Sequence, residues 1–341
     1  MNPPIKILVL PLFYLCNAKC SMCNIWKNSV SPSWGLTELR TVLSQPELSH
    51  SVEVVNVTGG EPTLQKNLHE YIKLLTEVLA VVNTVSIQTH GLQPSLVTKR
   101  FLPIAEWLTE LHSKGKSIHL DINISLDGPA GIHDRVRGVK DAFDAVMDSL
   151  QRIKEITRTY ERIANLFNCT IVSDNVDHLH ETQEIADKCG VEITYTLPQD
   201  TDVYMSNANS KEKYRLDERQ RRVAAEFLRS LLPRTSGSSG MSKRYCEMLI
   251  ELLESGRRNM GCPLAESGLF MSPEGSAMPC WRSSELHLGD LRKDSMEDIS
   301  NSRKNVDYQN RLKRLCTECP SNCYVEWNRR MFARRLARIS S

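Results

Sequence analysis

The chain has 341 residues, 40% of them hydrophobic and 25% charged, with a formal net charge of +2 and 11 cysteines. That is enough apolar material for one large domain with a smaller one beside it, and the near-neutral balance excludes any global attraction to nucleic acid or to a membrane surface. The N-terminal apolar run, residues 5–15, is broken by Lys6 and Pro11, is too short to cross a bilayer, and is not followed by a small-residue cleavage site. No other stretch is long and apolar enough to span, so a cytoplasmic protein is expected. Its thiols should then bind metal rather than pair as disulfides.

In chain order, the first two thirds alternate strand and helix. β-branched and apolar runs predict strands over residues 5–10, 52–57, 84–89, 117–125, 165–172 and 192–197. Amphipathic patterns predict helices between them, among others over 68–81, 96–112, 142–160 and 179–188. Alternation of this kind implies parallel strands joined by right-handed crossovers. The expected fold class is α/β, a partial (β/α)6 barrel of the TIM type, with chemistry at the C-terminal ends of the strands. A helix over 217–232 follows, then the linker-like Pro233-Arg-Thr-Ser-Gly-Ser-Ser-Gly240 and a helix over 245–255. From Cys262 the texture changes to short turns with Gly and Pro, and five of the 11 cysteines lie there. The expected division is a barrel at 1–232, a linker at 233–240 and a small second domain at 241–341.

Two motifs carry chemistry in the first domain. Cys16-Asn-Ala-Lys-Cys20-Ser-Met-Cys23 directly follows the first strand. Three thiolates at this spacing can hold three irons of a cubane cluster and leave the fourth open to a ligand; a zinc ion with a distant fourth ligand is the plainer use. Thr58-Gly59-Gly60-Glu61-Pro62 ends the second strand. Its glycines let a ligand approach the backbone and its carboxylate can receive an ammonium group. An ordinary strand-to-helix turn uses the same residue types.

Together, the Cys-x3-Cys-x2-Cys loop and the Gly-Gly-Glu-Pro segment resemble the radical S-adenosylmethionine (SAM) superfamily, over roughly residues 5–197. The resemblance implies that Cys16, Cys20 and Cys23 hold a SAM-cleaving [4Fe–4S] cluster. It also implies that Gly59, Gly60 and Glu61 hold the amino group of SAM. Ser125-Leu-Asp127-Gly-Pro129 and His133-Asp-Arg-Val-Arg137-Gly138 are similar to segments of the subgroup with C-terminal auxiliary clusters. By that similarity Ser125 and Asp127 approach the ribose or carboxylate of SAM. Arg135 and Arg137 either clamp that carboxylate or are surface charges. Met22 stands where the family has an aromatic that touches the adenine, and a thioether can pack there too. His90 stands where the subgroup often has Asn, as a substrate contact or a satisfied turn histidine.

The C-terminal pattern Cys262-x12-Gly275-x4-Cys280, then Leu288-Gly-Asp-Leu291, then Cys316-x2-Cys319-x3-Cys323, resembles the SPASM and twitch domains. A full SPASM domain carries seven cysteines and two auxiliary clusters, so five imply one auxiliary [4Fe–4S] cluster. Cys262, Cys280, Cys316 and Cys319 are the first choice of ligands, with Cys323 able to replace one of them. A structural zinc site from the same residues is the alternative. Cys169, within a strand, is a candidate hydrogen donor to a substrate radical if it faces the barrel lumen, whereas Cys189 and Cys246 are expected to be buried thiols. The basic run 329–338 is expected to be a solvated face or a patch that steers anionic substrates.

The resemblance further implies an electron donor such as flavodoxin or ferredoxin, and hydrogen abstraction from a substrate C–H bond by a 5′-deoxyadenosyl radical. The expected substrate is a small polar metabolite, such as a carbohydrate, aminocyclitol or nucleoside, undergoing oxidation, epimerisation or a related change. The alternative is a ribosomally made peptide that is cross-linked or epimerised. A first strand starting at residue 5 leaves no room for an N-terminal leader-binding domain, which favours the small molecule.

Overall fold

The computed structural model describes residues 4–28, 31–203, 205–235, 241–258, 261–303 and 306–320. Cys323 and the basic run 329–338 lie outside the described residues.

The apolar runs become strands of one sheet. These are β1 (Ile7–Pro11), β2 (Val54–Thr58), β3 (Thr84–Thr89), β4 (His119–Ser125), β5 (Ile163–Thr170), β6 (Ile193–Thr196), β7 (Gly268–Met271), β8 (Ser276–Met278) and β9 (Gly289–Asp290). The helices are α1 (Leu36–Leu43), α2 (Pro46–Ser49), α3 (Leu68–Val78), α4 (Pro94–Ser113), α5 (Ala130–Arg137), α6 (Ala142–Thr159), α7 (Leu179–Cys189), α8 (Glu218–Leu231), α9 (Lys243–Ser255), α10 (Pro263–Ser267), α11 (Met296–Ser302) and α12 (Val306–Cys316). The sheet order is β6-β5-β4-β3-β2-β1-β7-β8-β9. Pairing is parallel from β6 through to β7, and antiparallel from β7 to β9. All six strands read from the sequence form, and the α/β class holds. The attachment of β7 to the free side of β1 is the feature that strand patterning missed.

That attachment explains the composition of β1. Parallel strands covered on both faces read as continuous apolar runs, and Ile-Leu-Val-Leu-Pro is buried at every position. Leu8 and Leu10 enter the main core under the helices, while Ile7 and Val9 pack with Leu264, Phe270 and Met278 from the C-terminal segment. Elsewhere the two faces differ. Val55, Val57, Val85, Ile87, Ile122, Ile124 and Phe167 face the helix layer. The inner face carries Asn56, Ser86, Gln88, Asn123, Ser125 and Asn168, in register across neighbouring strands. Asn123 Nδ2 donates to Ser86 Oγ (2.7 Å), and Asn168 Nδ2 donates to Gln88 Oε1 (2.9 Å).

Beyond β1 the chain runs on beside the end of β2. Leu12 N donates to Thr58 O (3.1 Å), Gly60 N to Phe13 O (2.9 Å) and Glu61 N to Leu15 O (2.9 Å). A Cβ on Gly60 would lie 1.8 Å from Leu15 O, and one on Gly59, whose φ is +125°, 2.3 Å from Phe13 O. The Gly-Gly pair is thus required by the chain's own backbone. Across the sheet, β4 turns into α5 through Asp127-Gly-Pro. Asp127 N donates to His133 Nδ1 (3.0 Å), so the ring proton sits on Nε2, which has no partner among the described residues. His133 is fully buried, and that burial pushes its pKa down to about 4. Asp134 accepts from Asp141 N (2.8 Å) and Phe143 N (2.9 Å) at the start of α6.

Two outcomes follow from these contacts. Gly60→Ala should destabilise the protein by about 3 kcal/mol, because rigid backbone opposes the new methyl. Gly115→Ala should cost only about 1 kcal/mol of left-handed strain, since a Cβ there meets nothing within 4 Å; similar denaturant midpoints for the two variants would refute the close-approach account. The second concerns pH. A histidine whose folded pKa is depressed binds protons more readily when unfolded, so stability falls as pH drops below the unfolded value, about 6.5. Between pH 7.5 and 6.0, anaerobic denaturation of the wild type should lose about 0.8 kcal/mol more than that of His133→Asn; parallel pH profiles would remove the assigned cause.

Candidate active site

The three-cysteine loop has no regular structure beyond one short 3-10 turn at Ile25–Lys27, so its neighbours must position it. On one side lies the Gly59-Gly60 contact. On the other, Lys19 N donates to Arg137 O (2.9 Å) and Ser21 N to Val136 O (2.9 Å). Gly138, at φ +63°, closes α5, and a Cβ there would meet Lys19 O at 2.5 Å. Farther on, Asn207 Nδ2 donates to Met22 O (2.7 Å) and Trp26 Nε1 to Cys23 O (2.9 Å). Cys16, Cys20 and Cys23 are therefore carried on one braced loop at the C-terminal end of β1, each partly exposed. Burial pushes Cys16 and Cys23 up to about 12 and raises Cys20 as well. These thiols stay protonated until a metal centre supplies positive charge, and its binding would release their protons. Three cysteine sulfurs on one loop, which would ligate as thiolates, with the Arg137 cation at Cys20, are the donor set that an iron–sulfur cluster takes.

Glu61 is almost wholly buried, and both oxygens are engaged. Oε1 accepts from Thr63 N (3.0 Å), Thr63 Oγ1 (2.7 Å) and Thr89 Oγ1 (2.7 Å), and Oε2 accepts from His90 N (2.8 Å). The carboxylate expected to receive an ammonium group instead ties the end of β2 to the end of β3. His90 extends the tie. Its Nδ1 accepts from Leu92 N (3.0 Å), so Nε2 carries the proton and donates to Asn17 Oδ1 (2.7 Å) inside the cysteine loop. Burial lowers its pKa, which keeps the ring neutral.

Asp127 is likewise turned inward, with no exposed surface. Its Oδ1 accepts from Thr170 N (2.9 Å), and its Oδ2 accepts from Arg137 Nε (2.5 Å). Arg137 is buried and its Nη1 lies 3.6 Å from Cys20 Sγ, whereas Arg135 is exposed. Ser125 Oγ, half-buried at the end of β4, makes a long bond to Thr89 O (3.4 Å). Met22 packs with Val136, Val172 and Tyr214 beside Cys20.

Cys169 requires a correction. It shares its side of β5 with Phe167, in the core under the helices, while Asn168 takes the inner face. The two-residue period of a strand puts the thiol on the far side of the sheet from the lumen. It is fully buried in that core, away from the lumen, so it is not placed to donate hydrogen to a substrate there. Cys246 donates to Leu228 O (3.1 Å) in the core, and Cys189 is half-buried.

The C-terminal segment brings a second set together. Cys262 precedes α10, Cys280 follows β8, Cys316 ends α12 and Cys319 lies in the next turn. All four line one cavity, closed on its apolar side by Leu264 and Trp281. A hydrogen bond between Cys262 and Cys316 draws the first thiol down and pushes the second up. Burial pushes Cys280 up to about 12. The buried Arg258 donates to Cys319 O (3.2 Å) and Gly261 O (3.1 Å), stitching the two cysteine segments together. Among the described residues no three His, Cys, Asp or Glu side chains are drawn together as around a single ion; the four thiols stand around a space instead. The sequence singled out none of Asn17, Thr63, Thr89, Asn175 and Arg258. Their signal is purely tertiary: Asn175, for example, donates to both Asp127 O and Thr170 O (2.9 Å each).

Comparisons with known proteins accord with this arrangement. The family model for the radical SAM superfamily matches residues 10–186, and that for the SPASM iron-sulfur cluster-binding domain matches residues 262–324. A probable GTP 3′,8-cyclase of Sulfurisphaera tokodaii is 26% identical over 52% of this chain, which spans only 55% of that relative's length. The cysteine-type anaerobic sulfatase-maturating enzyme of Clostridium perfringens is 22% identical over 93% of this chain and 85% of its own. Among solved structures, native anSMEcpe with bound AdoMet and Kp18Cys peptide superposes with a TM-score of 0.62 at 19% identity, covering 90% of this chain and 83% of that one. Streptococcus suis SuiB bound to the precursor peptide SuiA gives 0.61 at 13%, covering 95% and 73%. The chain belongs to the radical SAM superfamily and carries a C-terminal SPASM domain, so it is an enzyme whose cofactors are a [4Fe–4S] cluster, SAM and auxiliary iron–sulfur clusters.

Proposed function

We propose that this enzyme modifies a peptide. The observation that carries the reading is the inner face of the barrel, where Ser86, Gln88, Asn123 and Asn168 present amides and hydroxyls beside the buried Asp121. Such groups complement the main-chain amides of an extended chain and need no charged ligand. The sulfatase-maturating relative, alike over most of both chains, and the curated SkfB and MftC maturases support the same class. The small polar metabolite expected from the position of the first strand has weaker support.

In this reading Cys16, Cys20 and Cys23 ligate the N-terminal cluster. That cluster, with SAM, would supply a 5′-deoxyadenosyl radical able to take hydrogen from a substrate C–H bond. Glu61, Thr89 and His90 hold the loop against the ends of β2 and β3. The Gly59-Gly60 main chain, Ser125 and Met22 border the space that SAM would enter. Cys262, Cys280, Cys316 and Cys319 ligate an auxiliary cluster in a domain at 241–341, joined through 233–240 to a barrel at 1–232. An external low-potential donor such as flavodoxin or ferredoxin supplies electrons. No helix among the described residues is long and apolar enough to cross a membrane.

Anaerobically prepared protein should hold about eight irons, and Ala at Cys16, Cys20 and Cys23 together should leave about four. Full iron retention in that variant would overturn the ligand assignment. The substrate class is tested by adding dithionite and SAM with either short unprotected peptides or a panel of sugars, aminocyclitols and nucleosides. Peptides should raise deoxyadenosine formation several-fold and emerge altered in mass. Stimulation by the polyol panel alone would return the enzyme to small-molecule chemistry.

A further inference from the structure

We infer that Arg137, clamped by Asp127, poises the reduction potential of the N-terminal cluster through a hydrogen bond to Cys20. The inference rests on the assignment of Cys16, Cys20 and Cys23 as its ligands. Two of the three guanidinium nitrogens are taken by one carboxylate oxygen: Nε and Nη2 each lie 2.5 Å from Asp127 Oδ2. The other oxygen is held by Thr170 N (2.9 Å), so the carboxylate cannot turn away. That leaves Nη1 aimed at Cys20 Sγ, 3.6 Å away. The main chain sets the same reach, because Arg137 O accepts from Lys19 N (2.9 Å), the residue before Cys20. Arg137 is 9% exposed and Asp127 0%, so water screens little of this charge pair.

A donor on a cluster thiolate stabilises the more negative, reduced state over the oxidised one. Arg137 therefore eases reduction. Asp127 aims it and, through its own charge, offsets part of the effect. The two residues act with opposite electrostatic sign on the same sulfur. A bracing role alone would produce no such opposition.

The test is a redox titration of the anaerobic holoprotein with dithionite. It follows by electron paramagnetic resonance the component whose spectrum changes when SAM is added. Arg137→Met should make reduction about tenfold harder, a downward shift of about 59 mV for a one-electron couple. Arg137→Lys, which keeps the charge but loses the fork, should fall between the wild type and Arg137→Met. Asp127→Asn leaves the cation uncompensated and should shift the midpoint upward. If Arg137→Met assembles no cluster, Asp127→Asn alone decides. A SAM-responsive component with an unmoved midpoint in the variants, or one moved downward by Asp127→Asn, overturns the poise and leaves the proposed function standing. No SAM-responsive component in the wild type would overturn the ligand assignment, and the poise with it.

Discussion

The site depends on backbone lying directly on backbone at Gly60 and Gly138. The cysteine loop has almost no internal hydrogen bonding of its own, so its main-chain groups must find partners elsewhere. They find them at the end of β2, along the last turn of α5 and in the side chain of Asn207. Each approach is so close that a single methyl group would part the surfaces. The acidic residues nearby serve the same end. Glu61 collects donors from β3 and Asp127 collects them from β5 and α5, while burial keeps the neighbouring His90 and His133 neutral.

Much of this was legible in the sequence. Alternating runs located the six barrel strands. The cysteine spacings marked both sulfur-rich loops. The roles of the polar residues were less legible. Glu61 and Asp127 look like groups presented to a ligand when only their flanking glycines are seen. Their partners, Thr89 and Thr170, are 28 and 43 residues away, and nothing in the local pattern names them. The strands β7 to β9 are too short to show a period. Cys169 is a different case: it shares parity with Phe167 and Ile171, so its side of the strand could have been read by counting in twos.

The His133 to Gly138 stretch shows how a short motif can be structural throughout and still serve chemistry. His133 caps the turn after β4, Asp134 opens α6, Arg137 spans from Asp127 to Cys20, and Gly138 admits Lys19. Four tasks fall on this one short segment because α5 is the element that meets both the sheet and the loop.

The pairing of β7 with β1 bears on modularity. A domain that merely rests against another can be cut away or exchanged. Here the cut would strip hydrogen-bond partners from Ile7 to Val9 and bare the apolar surface that Phe270 and Met278 cover. A truncated barrel would present a naked strand edge, the feature that recruits other chains into intermolecular sheets. Swapping the C-terminal segment between relatives thus means transplanting a strand together with its register, and aggregation is the expected consequence of cutting anywhere between them.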